Sequence, residues 1–369
     1  MKILYFTIQI NDLGGLARIV IDKINRLVGM GYDVTLCNIE SLEVRPYYPL
    51  DSRVKLVRGD MQTTPGGMLT RLKGTLATVK RLRQIIREEN PDVIINAHTP
   101  LITWVLPFVC RDIPKIMEIH QSRQGLEVFN QKYLSPTAQW VHRHAIRWIY
   151  GKYRKLVVLT HGDQESWNLK NCIVIPNFST YPVESENPNP LTSKNVICLA
   201  RLMPQKRIDL LIEIWAKVAK DFPDWKCTVY GEGMYRLEYE AMAAKLGVGD
   251  SFRMPGAVPD VRKYIDDSSI LCLTSEYEGF GIVLIEAQLK GVPVIAFEYV
   301  GVHDIIENGQ DGWIVPFGDT DAYADKLREM MSSHEERLRL QQNAFRSVKK
   351  FDNKRVMKEW DSLFRSLHK

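Results

Sequence analysis

Short apolar runs rich in β-branched residues alternate with longer amphipathic stretches through most of this chain, and this rhythm limits its fold more than any other feature. Alternating strands and helices predict right-handed β-α-β units around a parallel sheet. In the N-terminal half, the runs that we interpret as buried strands are Ile3–Ile8, Val34–Ile39, Val93–Asn96, Lys115–Ile119, Leu156–Leu159 and Ile173–Ile175. The sequence therefore predicts an α/β, doubly wound fold.

The alternation stops at Asn177–Lys194, which is rich in Pro, Asn, Ser and Thr and is typical of a linker. It then resumes with predicted strands at Val196–Leu199, Cys227–Tyr230, Ile270–Leu273 and Val294–Phe297, and predicted helices over 207–220 and 234–246, from Ile282, and over Asn353–Leu367. Because 369 residues exceed the usual size of one domain, we predict two Rossmann-like domains, over 1–180 and 195–352. Residues 181–194 would link them, and residues 353–369 would form a C-terminal helix.

Composition argues against several classes of protein. The apolar run Ile102–Cys110 is about half as long as a bilayer span requires, and the N-terminus lacks the features of a signal peptide. The six cysteines form no C-x-x-C pair, which is typical of reduced core thiols and not of a zinc site. We therefore expect a cytoplasmic protein.

Ser275–Glu286 is the stretch that carries the most chemical information. An apolar strand leads through a turn containing Gly279 and Gly281 directly into a helix. The free N–H groups at such a helix N-terminus form an anion site, and Glu278 and Glu286 are two carboxylates beside it. On spacing alone, Glu278 could instead only stabilise the helix dipole, with Glu286 merely amphipathic. A carboxylate within the apolar run Ile282–Ala287 would, however, be costly unless it were paired.

Two other loops follow predicted strands. Arg201 and Lys206 lie on one of them, where two cations could neutralise a diphosphate; ordinary solvated charges are the alternative. Gly14-Gly15 joins the first strand to the first helix and suits phosphate contact through the backbone. Neither this junction nor Gly231-Glu232-Gly233 matches the dinucleotide fingerprint, which argues against a dehydrogenase.

The sequence S-E-Y-E-G-F-G-I-V-L-I-E-A around Glu278 and Glu286 is preceded by A-R-L-M-P-Q-K-R-I-D and followed by G-V-P-V-I-A-F. Together with Ile175-Pro176-Asn177 and the later N-G-Q-D-G-W-I-V, these motifs resemble glycosyltransferase family 4, most strongly over Cys198–Val315. The resemblance implies the GT-B fold, in which two Rossmann-like domains face each other across a cleft. It also implies that the C-terminal helix crosses back to the first domain, the one that binds the acceptor.

The same resemblance implies roles for individual residues. Arg201 and Lys206 would contact the diphosphate of a nucleotide-sugar, Glu278 the transferred sugar and Glu286 the ribose. His120 matches a histidine beside the reacting sugar, although a capped histidine at a strand end is the alternative. The remaining donor contacts would be Gly15, Arg253, Met254, Gly281, Ile282 and Val283.

Family 4 enzymes retain the anomeric configuration, so we do not interpret the two carboxylates as a glycosidase pair. We expect front-face displacement, in which His120, Glu278, Arg201 and Lys206 act on the reacting sugar and the leaving diphosphate. Catalysis would come from fixed positive charge and positioning, with no metal and no cofactor. The donor would be a UDP-hexose or UDP-N-acetylhexosamine; a GDP-mannose-dependent mannosyltransferase is the alternative, and a nucleotide-sugar epimerase is a weaker one.

The N-terminal half is basic, since residues 1–190 contain 24 Lys and Arg against 17 Asp and Glu. Basic and hydrophobic residues are interleaved in two stretches, over 69–87 and 140–155. Such stretches are typical of proteins that bind an anionic membrane surface. We therefore expect a lipid-linked saccharide acceptor at the inner face of the membrane. Packing of these stretches on the sheet with a solvated basic rim is the alternative. The charge is too modest, and the fold too unlike common binding modules, for a nucleic-acid partner.

Overall fold

The computed structural model describes residues 1–8, 10–11, 14–39, 45–61, 68–97, 99–179 and 188–367. The chain divides into two compact units, one formed by Met1–Thr180 with Asn353–Lys369 and the other by Tyr181–Asp352. Residues 181–187 of the predicted linker lie outside the described residues.

The first unit contains a parallel sheet whose strand order, among the described residues, is β3-β2-β1-β4-β5-β6-β7. In this sheet, Ile3 of β1 pairs with Val34 of β2 on one side and with Val93 of β4 on the other. The strands are β1 (Lys2–Thr7), β2 (Asp33–Asn38), β3 (Lys55–Arg58), β4 (Val93–Asn96), β5 (Lys115–Glu118), β6 (Lys155–Val158) and β7 (Cys172–Val174).

Helices cover both faces of this sheet, so the strands are apolar on both sides. Ile3 and Tyr5 pack toward α1, whereas Leu4 and Phe6 belong to a second core that includes buried residues of α2, α3 and α5. The helices are α1 (Gly15–Gly29), α2 (Met68–Glu89), α3 (Pro100–Val105), α4 (Arg123–Tyr133), α5 (Pro136–Tyr150) and α6 (His161–Trp167).

The second unit has a parallel sheet with the order β10-β9-β8-β11-β12-β13. Its strands are β8 (Asn195–Leu199), β9 (Lys226–Tyr230), β10 (Phe252–Gly256), β11 (Ile270–Leu273), β12 (Val294–Phe297) and β13 (Gly312–Val315). Its helices are α7 (Ile208–Val218), α8 (Arg236–Lys245), α9 (Arg262–Asp266), α10 (Ile282–Leu289), α11 (Thr320–Ser332) and α12 (His334–Ser347). The last helix of the chain, α13 (Asn353–Leu367), belongs to the first unit.

The C-terminal helix α13 returns to the first unit, as the resemblance implied. It is strongly amphipathic, and its buried side, including Trp360 and Phe364, joins the core beside α1. Tyr32 contacts Phe364 edge to face at 5.4 Å between ring centroids, and its hydroxyl donates a hydrogen bond to Asp361 over 2.5 Å.

Three strands were not predicted. The edge strand β3 has only two apolar residues, Leu56 and Val57, between two basic ones, and it is mostly exposed. The strand β10, at one edge of the second sheet, contains Pro255, and its register with β9 shifts between Arg253 and Gly256. The last, β13, begins with a glycine after a turn. Edge position, proline and glycine each weaken the pattern by which a buried strand is identified.

Candidate active site

The loops after β8 and β11 meet at the switch point of the second sheet. These strands are neighbours, but the chain continues from β8 to β9 on one side and from β11 to β12 on the other. Two hydrogen bonds join the loops: Glu276 N–H donates to Gln205 O (2.9 Å), and the Thr274 hydroxyl donates to Lys206 O (3.0 Å). In open α/β sheets, such a switch point is where ligands bind.

Gly281 sets the start of α10. It caps the helix with φ of 83°, a left-handed conformation that side chains disfavour. A Cβ atom at this position would also overlap the Tyr299 hydroxyl, which donates to Phe280 O over 3.1 Å. The glycine therefore fixes the point at which α10 begins. The free N–H groups of the first helical residues belong to Ile282 and Val283, both half-buried.

Glu278 lies in the turn between β11 and α10, and two neighbouring side chains hold its carboxylate. Lys206 Nζ donates to Glu278 Oε1 over 2.6 Å, and the Ser275 hydroxyl donates to the same oxygen over 2.7 Å. The side chains of Lys206 and Glu278 are 14% and 11% exposed, so the ion pair is largely shielded but still accessible. We call Lys206, Ser275 and Glu278 the carboxylate cluster. The structure thus brings together two residues that the sequence assigned to different parts of the donor.

Arg201 is exposed on the same loop as Lys206. The loop is held by close backbone packing: a Cβ atom at Gly231 would overlap Ala200 O, and one at Gly233 would overlap Leu202 O. Gly231 and Gly233 therefore position the loop that carries Arg201.

Glu286 lies within α10, where its residue is 3% exposed among buried apolar neighbours. The residue has an interaction partner, and a carboxylate at this position would be costly if it were unpaired.

Arg253 and Met254 lie on β10, two strands from β8, with Arg253 exposed and Met254 buried. Met254 O accepts a hydrogen bond from Arg236 Nη2 over 2.6 Å. Arg236 in turn pairs with Glu232 at 2.6 Å and with Glu240 at 2.9 Å. Arg236 therefore supports the strand that carries the predicted donor contacts Arg253 and Met254, a role that the sequence analysis missed.

In the first unit, Gly15 is the first residue of α1, and Gly14 caps that helix in an extended conformation. Their position at the start of α1, after β1, agrees with the predicted strand-to-helix junction. Gln9, Asp12 and Leu13 of the same loop lie outside the described residues.

His120 follows β5, and its side chain is 9% exposed. Its Nε2 atom lies 2.9 Å from Glu118 Oε1. Glu118 also accepts hydrogen bonds from the Tyr5 hydroxyl and from Lys23 Nζ. Burial alone would raise the pKa of Glu118, but Lys23 and His120 outweigh it and hold that pKa well below its ordinary value. The sequence offered two unused signals: a lysine on the apolar face of α1 and a glutamate within a buried strand.

The outer side of α5 carries exposed aromatic and basic residues. Trp140 and Trp148 are 61% and 56% exposed, and Trp148 stacks on Phe108 with ring centroids 5.8 Å apart. Lys152 Nζ lies 5.2 Å from the centroid of the Trp148 ring. We call Phe108, Trp140, Val141, Trp148 and Lys152 the aromatic patch.

Ile149 and Tyr150, which belong to the same stretch 140–155, are instead fully buried. For these two residues the alternative holds, because they pack against the sheet and cannot contact a membrane surface. In α2, Ile86 is buried while Leu76 is 62% exposed.

Within the described ranges, no helix combines the length and apolar character needed to cross a membrane. The same residues contain no group of three or more His, Cys, Asp or Glu side chains that could hold a metal ion. The six cysteines, all described, are unpaired.

Two family models match consecutive parts of the chain. "Glycosyltransferase Family 4" matches residues 13–178, and "Glycosyl transferases group 1" matches residues 183–347. Among curated relatives, the amylovoran biosynthesis glycosyltransferase AmsD of Erwinia amylovora is 26% identical, covering 98% of this chain and 99% of the relative. A Campylobacter jejuni α-1,4-N-acetyl-D-galactosaminyltransferase, whose name specifies a diNAcBac-PP-undecaprenol-linked disaccharide, is also 26% identical, with 98% and 97% covered.

Solved structures show the same fold. Staphylococcus aureus TarM, crystallised with UDP among its ligands, superposes with a TM-score of 0.76 at 15% identity, covering 98% of this chain and 99% of that one. Anabaena HepE in complex with UDP gives a TM-score of 0.78 at 17% identity, covering 99% and 100%.

Proposed function

Since this chain belongs to glycosyltransferase family 4 and has the GT-B fold, we propose that it transfers a hexosyl or N-acetylhexosaminyl group from a UDP-sugar to a lipid-linked saccharide in surface-polysaccharide synthesis. The anomeric configuration would be retained. The observation that carries this proposal is the carboxylate cluster at the switch point, beside the N-terminus of α10. A GDP-mannose donor remains the alternative.

The carboxylate cluster supports a donor site because it holds a cation and a carboxylate side by side at the switch point. An incoming diphosphate would compete with Glu278 for Lys206, since phosphate is a strong acceptor for an ammonium group. Glu278 would then accept hydrogen bonds from sugar hydroxyls, while Lys206, Arg201 and the N–H groups of α10 stabilise the leaving diphosphate.

The proposed reaction needs no protein nucleophile. The bond between the anomeric carbon and the diphosphate oxygen breaks, and the acceptor hydroxyl forms the new bond from the same face. The departing phosphate oxygen takes the acceptor proton. Catalysis would then come from positioning and from stabilisation of the leaving group, and we propose that it proceeds without a metal ion or a cofactor.

The acceptor part of the proposal is supported by the relatives. The name of the Campylobacter relative specifies an undecaprenol-linked acceptor, and the Erwinia relative is named for amylovoran biosynthesis. We therefore propose a lipid-linked saccharide, not a free sugar, as the acceptor.

Thermal unfolding tests the nucleotide. UDP at about a hundred times its dissociation constant should stabilise the folded protein by roughly 2.7 kcal/mol, whereas NAD should have no effect. Mass spectrometry with a panel of UDP- and GDP-sugars then identifies the donor. Stabilisation by NAD alone would contradict the proposal, and isomerisation of the sugar without transfer would favour the epimerase.

We further propose that the enzyme works at an anionic membrane surface through the aromatic patch. Exposed tryptophans suit the interface between headgroups and acyl chains, and neighbouring cations favour anionic lipid. Lys152 lies beside Trp148, while exposed Arg143 follows Trp140 by less than one helical turn.

Replacing Trp140 and Trp148 together with Ala should lower binding to phosphatidylglycerol vesicles by roughly 30-fold, because each of the two rings, on entering the interface, would contribute on the order of 1 kcal/mol. Vesicle flotation measures this binding. Leu237→Ala is the control, since Leu237 is 79% exposed but lies in the other unit. Equal flotation of all three proteins, or flotation insensitive to salt and to anionic lipid, would contradict the proposal.

A further inference from the structure

Glu118, Tyr5, Lys23 and His120 form a buried polar group inside the apolar core of the first unit; we call it the Glu118 network. Ile116 and Met117 of β5 face the two opposite cores of the sheet. By the alternation of a strand, Glu118 faces the same side as Ile116, toward α1 and α13.

Both carboxylate oxygens of Glu118 are used. Oε1 accepts from Lys23 Nζ and lies 2.9 Å from His120 Nε2, while Oε2 accepts from the Tyr5 hydroxyl. Lys23 Nζ also lies 4.3 Å from the centroid of the Trp360 ring on α13. Glu118 and Lys23 are each about 98% buried, so β1, β5, α1 and α13 together enclose the network.

Such a network is not explained by stability alone. Removing two charges from water is costly, and a buried ion pair often contributes no more to stability than well-packed apolar residues of similar size. The lysine and glutamate could therefore be replaced by apolar residues unless the charges serve another purpose.

The contact with His120 suggests that purpose. A carboxylate next to Nε2 favours a proton on that nitrogen, which leaves Nδ1 as the acceptor of the neutral ring. Nε2 of His120 lies within hydrogen-bond distance of Glu118 Oε1, but among the described residues no acceptor lies in line with its N–H bond. Hydrogen bonds at catalytic groups are often poorly aligned without substrate and tighten when it binds.

We infer that Glu118 is a positioning residue for sugar transfer: it holds the His120 ring with its proton on Nε2. The inference rests on the proposed function, and on the role that the family resemblance implies for His120, beside the reacting sugar. Lys23 keeps Glu118 ionised, and Tyr5 fixes its second oxygen. The charged or titratable groups facing His120 in this network are thus Glu118, Lys23 and Tyr5, while α13 contributes Trp360, which does not titrate.

The first test is the proton position on His120 in the unmutated protein. Two-bond ¹H–¹⁵N correlation spectra of protein labelled with ¹⁵N-histidine distinguish the two ring tautomers, and His120→Asn assigns the signal. We expect the neutral ring to carry its proton on Nε2. A ring protonated on Nδ1 would overturn the inference, whether or not any variant folds.

The second test removes the network without leaving an unpaired charge. The triple variant Tyr5→Phe, Lys23→Met, Glu118→Leu replaces every partner by an apolar residue of similar size. We expect mixed His120 tautomers and a kcat lower by roughly 10- to 100-fold, by analogy with the loss of the outer hydrogen-bond partner of a metal-binding histidine. The KM for the donor and the affinity for UDP should stay near their original values.

Lys115→Met is the matched control. Lys115 is also buried on β5, but it donates to the backbone carbonyls of Cys110 and Ile113. Its loss should lower stability without changing the His120 tautomer. Unchanged tautomer and kcat in the triple variant would overturn the inference. If the unmutated protein turns over no nucleotide-sugar, the proposed function fails instead, and the tautomer measurement still decides what Glu118 does to the ring.

Discussion

Replacing Glu278 with Gln should reduce sugar transfer by roughly 100- to 1000-fold, the loss that follows removal of one electrostatic contact to a transition state. The amide keeps the size of the side chain but loses its charge. It therefore accepts weaker hydrogen bonds from the sugar hydroxyls and no longer forms an ion pair with Lys206. Because Lys206 is then released toward the diphosphate, the affinity for UDP should not fall. Steady-state rates and UDP titration measure the two effects separately.

Glu276→Gln is the matched control for this variant. Glu276 lies two residues earlier in the same half-buried turn, and its described hydrogen bond to Gln205 uses its backbone N–H. This change should leave turnover within about twofold. Equal losses in the two variants would show that the turn tolerates no substitution, and that Glu278 has no special role.

Replacing Glu286 with Gln should weaken UDP binding by roughly 10- to 100-fold, since hydrogen bonds to a charged group contribute about 1.5–3 kcal/mol. We propose that the carboxylate accepts hydrogen bonds from both ribose hydroxyls. The amide cannot replace both of these bonds, because its NH₂ group donates and only its oxygen accepts. Because the bond to ribose is made equally with substrate and transition state, kcat at saturating donor should change much less than KM. Calorimetric titration with UDP and steady-state kinetics test this expectation.

The control for Glu286 is Gln288→Met. Gln288 is fully buried on the same helix, and its side chain donates to Asp311 O at 3.4 Å. Its loss should disturb the packing of α10 without removing a proposed ligand contact. If Gln288→Met weakens UDP binding as much as Glu286→Gln does, the effect comes from helix packing.

Much of the fold could be predicted because the buried strands are continuous apolar runs. Val93–Asn96, Ile270–Leu273 and Val294–Phe297 have the predicted bounds, and α13 spans the predicted Asn353–Leu367. Other bounds differ by a few residues where local geometry decides: α7 begins at Ile208 because Arg207 adopts a left-handed conformation, with φ of 48°.

The contacts within the candidate site were less accessible to sequence reasoning. Spacing identified Glu278 and Lys206, but not their pairing, because their loops are 72 residues apart in the chain and meet only at the switch point. Glu118 was missed because a glutamate within an apolar strand indicates a buried charge but does not identify its partners. Two of these partners, Tyr5 of β1 and Lys23 of α1, are far away in sequence.

The central claim is that Ser275–Glu286 holds a UDP-sugar, with Glu278 at the sugar and Glu286 at the ribose. The most direct test is calorimetric titration of UDP, under identical conditions, into the unmutated protein, Glu278→Gln and Glu286→Gln. The account predicts unchanged or slightly tighter binding for Glu278→Gln and binding weaker by at least about tenfold for Glu286→Gln. Equal affinities for the two variants, or no binding of UDP to the unmutated protein, would contradict it.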